Sequence, residues 1–142
     1  MFLSIEVVAN QAGLAQLLRF VDEAEQRMAL GEEQAYILRL AIEEIATNLM
    51  KYGYTTNAPG PIQVACDTAT GALRIVIRDQ GKPFDPHTAP PPDLSTSLER
   101  RRVGGLGLFL VRELTDELVY RHDAISGWNE LTLIKRAEHE RG

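Results

Sequence analysis

The chain has 142 residues, 44% of them apolar, with 15 basic and 20 acidic side chains and a net charge of −5. These values predict one soluble globular domain over residues 1–142 and argue against a general affinity for nucleic-acid backbone. No apolar stretch approaches the roughly 20 residues that cross a bilayer, and no basic residue precedes the first apolar run, so we expect neither a membrane partner nor a secretory signal. The single cysteine, Cys66, excludes an intrachain disulfide and fits a cytoplasmic location.

The first half of the chain predicts one strand and two helices. Residues 2–9 are apolar and β-branched, and Asn10 is a suitable cap for a helix whose apolar stripe ends at Gly31. A longer helix is predicted over residues 32–52 and ends at Gly53. Its core face is predicted from apolar residues at steps of three and four, namely Ala35, Leu38, Ile42, Ile45 and Leu49.

The second half predicts two β-hairpins separated by a long loop and a third helix. Residues 62–67 and 72–79 form the first hairpin about Thr70-Gly71, and residues 118–122 and 128–134 form the second. Residues 85–104, rich in proline, form a lid, because so long a loop is uncommon unless it is functional. The element order predicts an α+β fold, a two-layer sandwich in which helices cover a mixed sheet.

The second predicted helix carries the first segment with chemical potential. Glu44, Asn48 and Tyr52 are spaced by four residues, so they lie on one flank. An amide oxygen at Asn48 suits Mg²⁺, which takes many of its ligands from water and nucleotide phosphates. Glu44 could accept a proton from an attacking hydroxyl. Taken alone, the triplet also fits an ordinary polar helix flank.

The second segment begins at Asp79, where a strand ends. A carboxylate accepts hydrogen bonds and cannot donate them, so Asp79 suits an exocyclic amine such as the adenine 6-amino group. Gly81 would let the backbone pass close to a base. Taken alone, these residues also fit a common turn at a strand exit.

The third segment is a glycine-rich turn before the third helix. Gly104, Gly105 and Gly107 could present backbone amides to an anion at a helix start. A long loop precedes the glycines and Leu110 replaces the third glycine of a dinucleotide fingerprint, which disfavours a Rossmann site, and no P-loop motif occurs. Taken alone, the segment also fits a flexible turn into a core helix.

In this order the three segments resemble the N box and the two glycine boxes of the GHKL, or Bergerat-fold, ATP-binding superfamily, over roughly residues 35–134. The short chain and the segment Asp79-Gln80-Gly81-Lys82-Pro83-Phe84-Asp85-Pro86 are most similar to the anti-sigma-factor serine/threonine kinases, which are bacterial partner-switching proteins. Members often carry His-Gly-Tyr after the N box, where this chain has Tyr52-Gly53-Tyr54. The resemblance implies the histidine-kinase-like ATPase fold.

The resemblance also implies a role for each matching residue. Glu44 would be the catalytic base, and Asn48 would be the magnesium ligand in the nucleotide site. Asp79 would bind adenine beside Gly81. The three glycines of the third segment, Gly104, Gly105 and Gly107, would contact phosphates. One arginine of the run at 100–102 could reach a phosphate, although a solvated basic run fits equally well.

The implied activity is transfer of phosphate from ATP, with Mg²⁺, to a STAS-domain anti-sigma antagonist. The freed kinase could then bind a sigma factor, and the family tends to form homodimers. One alternative is a module without catalysis, in which nucleotide binding only shapes a protein-binding surface. Another is the ATPase half of a histidine kinase, but none of His87, His122 and His139 lies in a phosphoacceptor context.

Overall fold

The computed structural model describes residues 1–88 and 105–137, and in this part of the chain three helices cover one face of a five-stranded sheet. The elements in chain order are β1 (Phe2–Val8), α1 (Gln11–Arg27), α2 (Glu32–Asn48), β2 (Pro61–Ala69), β3 (Ala72–Asp79), α3 (Gly105–Leu114), β4 (Glu117–His122) and β5 (Asn129–Arg136). A π-helical turn, Leu49–Gly53, follows α2, and a 3₁₀ turn, Pro86–Thr88, follows β3.

The strand order is β1-β2-β3-β5-β4, and each pair of neighbours is antiparallel. The predicted α+β class and the helical layer are confirmed, but the prediction of a mixed sheet is wrong for the described strands. Two helices separate β1 from β2 and return the chain in the opposite direction. Strands β3 and β4 run in the same direction, but they are not neighbours, because β5 lies between them, so no parallel ladder forms.

The local signals explain most element boundaries. Asn10 caps α1, because its side-chain oxygen accepts a hydrogen bond from the Gly13 amide at 2.8 Å. The first hairpin turns at Thr70 and Gly71, where φ is 52° and 80°, as the sequence predicts. Helix α2 ends four residues before the predicted end, since the backbone widens into the π-helical turn after Asn48.

The core lies between the helices and the inner face of the sheet. Strand β3 alternates as predicted, with Leu73, Ile75 and Ile77 buried. The buried face of α2 is wider than its predicted stripe, because α2 packs against α1 and α3 as well as against the sheet and also buries Ile37, Ala41 and Ala46. Ala35 and Ile45 of the predicted stripe are only partly buried. Within the described ranges, no helix is long and apolar enough to span a membrane.

A buried glutamine connects the helical layer to the sheet. Gln34 is 6% exposed, and its Oε1 accepts a hydrogen bond from the Gly31 amide at 3.1 Å. Its Nε2 donates to the carbonyl oxygens of Lys135 at 3.1 Å and Gly71 at 3.3 Å. These bonds anchor the start of α2 to the far end of the β2–β3–β5 ladder, opposite the end at which Asp79 lies.

Candidate functional site

The end of α2 forms one wall of the candidate site. Glu44 and Asn48 are both half-buried, and Asn48 is the last residue of α2. The π-helical turn that follows closes with a hydrogen bond from the Tyr54 amide to the Leu49 carbonyl oxygen at 2.8 Å. Tyr52 lies in this turn and is exposed, so it leaves the helix flank that the four-residue spacing predicted.

Asp79 is the last residue of β3, and it is 9% exposed. Its Oδ1 accepts hydrogen bonds from the Gly81 amide and from the Asn129 side-chain amide, both at 2.8 Å. Within the described residues, Oδ2 receives no donor. The carboxylate is therefore held through one oxygen, while the other remains able to accept a hydrogen bond.

Asn129, the partner of Asp79, was missed by sequence reasoning. It is the first residue of β5, is 3% exposed and lies opposite Asp79 in the β3–β5 register. A signal for it does exist: the alternation that places Leu131 and Leu133 inside also places residue 129 inside. A buried polar residue at such a position needs hydrogen-bonding partners.

The first two segments meet directly. The Lys82 amide donates to the Gly53 carbonyl oxygen at 2.9 Å, which joins the turn after Asp79 to the turn after α2. A Cβ atom on Gly81 would lie 2.7 Å from Leu49 Cδ2 and 3.1 Å from the Gly53 oxygen, so only glycine fits there without displacing a neighbour. Tyr54 supports the same contact, since its hydroxyl accepts from the Gln80 amide and donates to the Pro61 carbonyl oxygen.

The third segment meets the first at Glu44. A Cβ atom on Gly107 would overlap the Glu44 carboxyl group, so the first turn of α3 lies directly on the side chain proposed as the base. Gly105 is the first residue of α3. Gly104 and residues 89–103, which include Arg100, Arg101 and Arg102 and most of the lid assigned to residues 85–104, lie outside the described residues. Their assigned roles stay predictions.

Burial dominates the electrostatics of both carboxyl groups. Burial raises the pKa of Glu44, the charge of Glu43 raises it further, and the charge of Lys51 lowers it. Burial also raises the pKa of Asp79, whereas the hydrogen bonds from Asn129 and Gly81 and the charge of His122 lower it. Burial therefore favours the protonated form of both groups, and hydrogen bonds oppose it at Asp79.

The residues fit a magnesium ion that is shared with a nucleotide. The Asn48 side chain makes no hydrogen bond to the described part of the chain, so its amide oxygen is available as a ligand. Among the residues at 1–88 and 105–137, no cluster of three or more His, Cys, Asp or Glu could hold a metal. One neutral oxygen ligand suits Mg²⁺ only where phosphates and water complete its coordination.

Comparison with known proteins agrees with this geometry. Residues 7–135 match the model of the histidine kinase-like ATPase domain family. The chain is 30% identical over 105 residues to the serine/threonine-protein kinase BtrW of Bordetella bronchiseptica, covering 74% of this chain and 72% of that protein. It is 33% identical over 109 residues to the serine-protein kinase RsbW of Staphylococcus epidermidis, covering 72% of this chain and 65% of that protein.

A solved structure shows the same fold. It contains the RsbU and RsbW domains of a Mycobacterium tuberculosis protein, and it matches 96% of this chain and 32% of that chain with a TM-score of 0.67 and 22% identity. The match over residues 7–135 and the two kinase relatives lead to one conclusion. The chain belongs to the histidine kinase-like ATPase domain family, in the group of serine/threonine kinases that includes BtrW and RsbW.

Proposed function

We propose that the chain is an ATP-dependent protein serine/threonine kinase that acts as an anti-sigma regulatory factor. The observation that carries this proposal is the meeting of the three segments. Lys82 and Gly81 contact the turn after α2, and Gly107 contacts Glu44. These contacts gather a carboxylate acceptor, an available amide oxygen and a half-buried carboxyl group at one end of the sheet.

Each group has a distinct task in this proposal. Asp79 accepts a hydrogen bond from the adenine 6-amino group through Oδ2, since Oδ1 is already occupied by Gly81 and Asn129. Asn48 ligates Mg²⁺, which when bound neutralises charge on the phosphates. Glu44 orients the acceptor hydroxyl and takes its proton, a role that its raised pKa favours. Gly104, Gly105 and Gly107 offer backbone amides to the phosphates.

The partners in this proposal come from the family. The acceptor is a serine or threonine hydroxyl on a STAS-domain antagonist, and phosphorylation releases that antagonist by adding close to two negative charges. The freed kinase then binds a sigma factor, works as a homodimer and acts in the cytoplasm. The kinase names of the two relatives support the phosphoryl transfer, and the net charge of −5 agrees with a protein target rather than nucleic acid.

Label transfer from [γ-³²P]ATP to a purified STAS-domain antagonist tests the proposal. We expect acid-stable label on the antagonist, and Glu44→Gln should slow its transfer by about 10²- to 10⁴-fold without abolishing ATP binding. The adjacent Glu43→Gln is the matched control: it removes a charge that raises the pKa of Glu44 but keeps the proposed base, so it should slow transfer far less than Glu44→Gln.

Three other outcomes would contradict parts of this proposal. ATP binding with no label transfer by the wild-type chain would contradict the kinase and favour the non-catalytic binding module. Acid-labile phosphate on the chain itself would indicate a histidine kinase. Equal loss of transfer in both glutamine variants would contradict the choice of Glu44 as the base.

A further inference from the structure

At the end of the sheet where Asp79 lies, four polar side chains form a hydrogen-bonded network that runs from the interior to the surface. Asn129 lies opposite Asp79 on β3 and opposite His122 on β4, so the three residues occupy one row across the strands. Tyr120 lies two residues before His122 and also contacts Asn129. Only the Asp79 end of this network belongs to the nucleotide site proposed above.

The amide of Asn129 has one orientation that satisfies all of its neighbours. Its Nδ2 donates to Asp79 Oδ1 at 2.8 Å and to the Gly81 carbonyl oxygen at 2.9 Å, and both of these partners can only accept. Its Oδ1 accepts from the Tyr120 hydroxyl at 3.0 Å and from His122 Nδ1 at 2.7 Å, so Nδ1 carries the proton. Rotating the amide by 180° would place its oxygen against two groups that can only accept, Asp79 Oδ1 and the Gly81 carbonyl oxygen.

The fixed amide determines what Asp79 can do. Oδ1 has two donors, the Asn129 amide and the Gly81 amide, whereas Oδ2 has none from the described residues. The carboxylate therefore presents one acceptor oxygen in a set direction. A purine with an amine at position 6 donates to such an oxygen, and a purine with a carbonyl at position 6 is repelled by it.

We infer that Asn129 is a positioning residue for base recognition: it ties Asp79 Oδ1 to the protein, which leaves Oδ2 as the acceptor for the 6-amino group of the purine. This inference rests on the proposed nucleotide site and assigns a specific part of its selectivity to β5. Asn129 does not contact the base. It acts through Asp79, and Tyr120 and His122 act through Asn129.

The test compares two nucleotides that differ only at position 6. ATP carries the amine, and purine riboside 5′-triphosphate carries hydrogen. Asn129→Leu removes the amide at similar volume, and it should weaken ATP binding by about tenfold or more, since an Asp79 that is no longer held through Oδ1 would lose its hydrogen bond to the 6-amino group. Binding of purine riboside triphosphate should change by less than about twofold, because that ligand has no 6-amino group for Asp79 to bind.

Thr132→Val, a half-buried polar position on the same strand, is the matched control and should change neither dissociation constant. Equal weakening of both nucleotides by Asn129→Leu would overturn the inference, because it would indicate a general structural role. Unchanged ATP binding would overturn it too, while leaving the proposed kinase intact. If the wild-type chain bound neither nucleotide, the proposed function would fail together with the inference.

A second variant covers the case in which Asn129→Leu does not fold. Tyr120→Phe combined with His122→Ala leaves Asn129 in place and removes both donors to its Oδ1. His122 is exposed and Tyr120 is half-buried, so the fold should tolerate the pair. We expect a smaller loss, about two- to fivefold, for ATP alone. An unchanged ratio of the two dissociation constants would contradict the inference.

Discussion

Asp79 and Glu44 are both carboxyl groups with a pKa raised by burial, and they differ in what offsets that burial. Asp79 has two hydrogen-bond donors on one oxygen, which favour its charged form. Glu44 lies against Gly107, and among the described residues the charge of Lys51 favours its ionisation while that of Glu43 opposes it. The two carboxyl groups therefore differ in their surroundings: hydrogen bonds hold Asp79, whereas neighbouring charges act on Glu44.

The buried charge of Asp79 should cost stability, and Asp79→Asn tests this. Since its pKa in the folded protein lies above the ordinary value, the wild-type chain should lose stability as pH rises from the unfolded-state pKa through the higher folded-state pKa. Asparagine has no such titration. The unfolding free energy of the variant minus that of the wild type should therefore be larger at about pH 7 than at about pH 4, so the variant gains in relative stability as pH rises.

Urea denaturation at the two pH values measures this difference, and ATP binding by the same variant should be lost. A stability difference independent of pH would contradict the assigned environment of Asp79. Glu44 titrates in both proteins, so its contribution cancels in the comparison.

Gly107 and Glu44 should be coupled in stability. Gly107→Ala places a methyl group where the Glu44 carboxyl lies, and such overpacking typically costs about 1–3 kcal/mol. In a Glu44→Ala background the same substitution should be neutral or stabilising, by up to about 1 kcal/mol, because alanine favours a helix more than glycine does. Thermal unfolding of the four proteins measures the coupling. Additive effects would show that the two residues do not touch.

At the residue scale, the sequence predicted the residues whose spacing matches a motif and missed the one that depends on strand register. Glu44 and Asn48 lie four residues apart on one helix, and Asp79 ends an alternating strand, so local patterns reveal them. Asn129 acquires its role only because β5 pairs with β3 in a register that places it opposite Asp79. That register is a long-range property of the fold.

At the scale of elements, the end of α2 determines the geometry of the site. The chain widens into the turn Leu49–Gly53 just after Asn48, and the Gly53 carbonyl oxygen then receives the Lys82 amide. Single-turn π-helical segments within or next to α-helices are often found at functional sites. Periodicity alone predicts a regular helix to residue 52, because an apolar pattern carries no information about which backbone carbonyl will accept a distant amide.

Gln34, at the other end of α2, should contribute more to the unfolding free energy than an exposed glutamine does. Gln34→Leu would remove three hydrogen bonds and leave the Gly31 amide unpaired, although the Gly71 carbonyl oxygen keeps the Ala137 amide, and it should lower the unfolding free energy by about 1–3 kcal/mol. Gln16→Leu on the exposed side of α1 is the matched control, and its effect should stay within about 0.5 kcal/mol. Equal unfolding free energies in urea would contradict a structural role for Gln34.

At the scale of the whole molecule, helices and hairpins were largely predictable, whereas the sheet pairing was not. Apolar periodicity and turn residues act over a few positions, so they locate α1, α2 and the two hairpins. The antiparallel sheet depends on β5 lying between β3 and β4, and no local signal states that order. The family resemblance predicted that the three segments would meet. In the structure, Gly81, Lys82 and Gly107 make the contacts that join them.

If these contacts build a site for magnesium nucleotide, calorimetric titration of the folded chain with Mg·ATP should detect it. We predict saturable binding of one nucleotide per chain in the wild-type protein and none in Asp79→Asn, while both proteins show the same folded circular dichroism spectrum. Absence of measurable binding heat from the folded wild-type chain would rule out the proposed nucleotide site. The titration is repeated at several temperatures, so that a zero enthalpy is not mistaken for no binding.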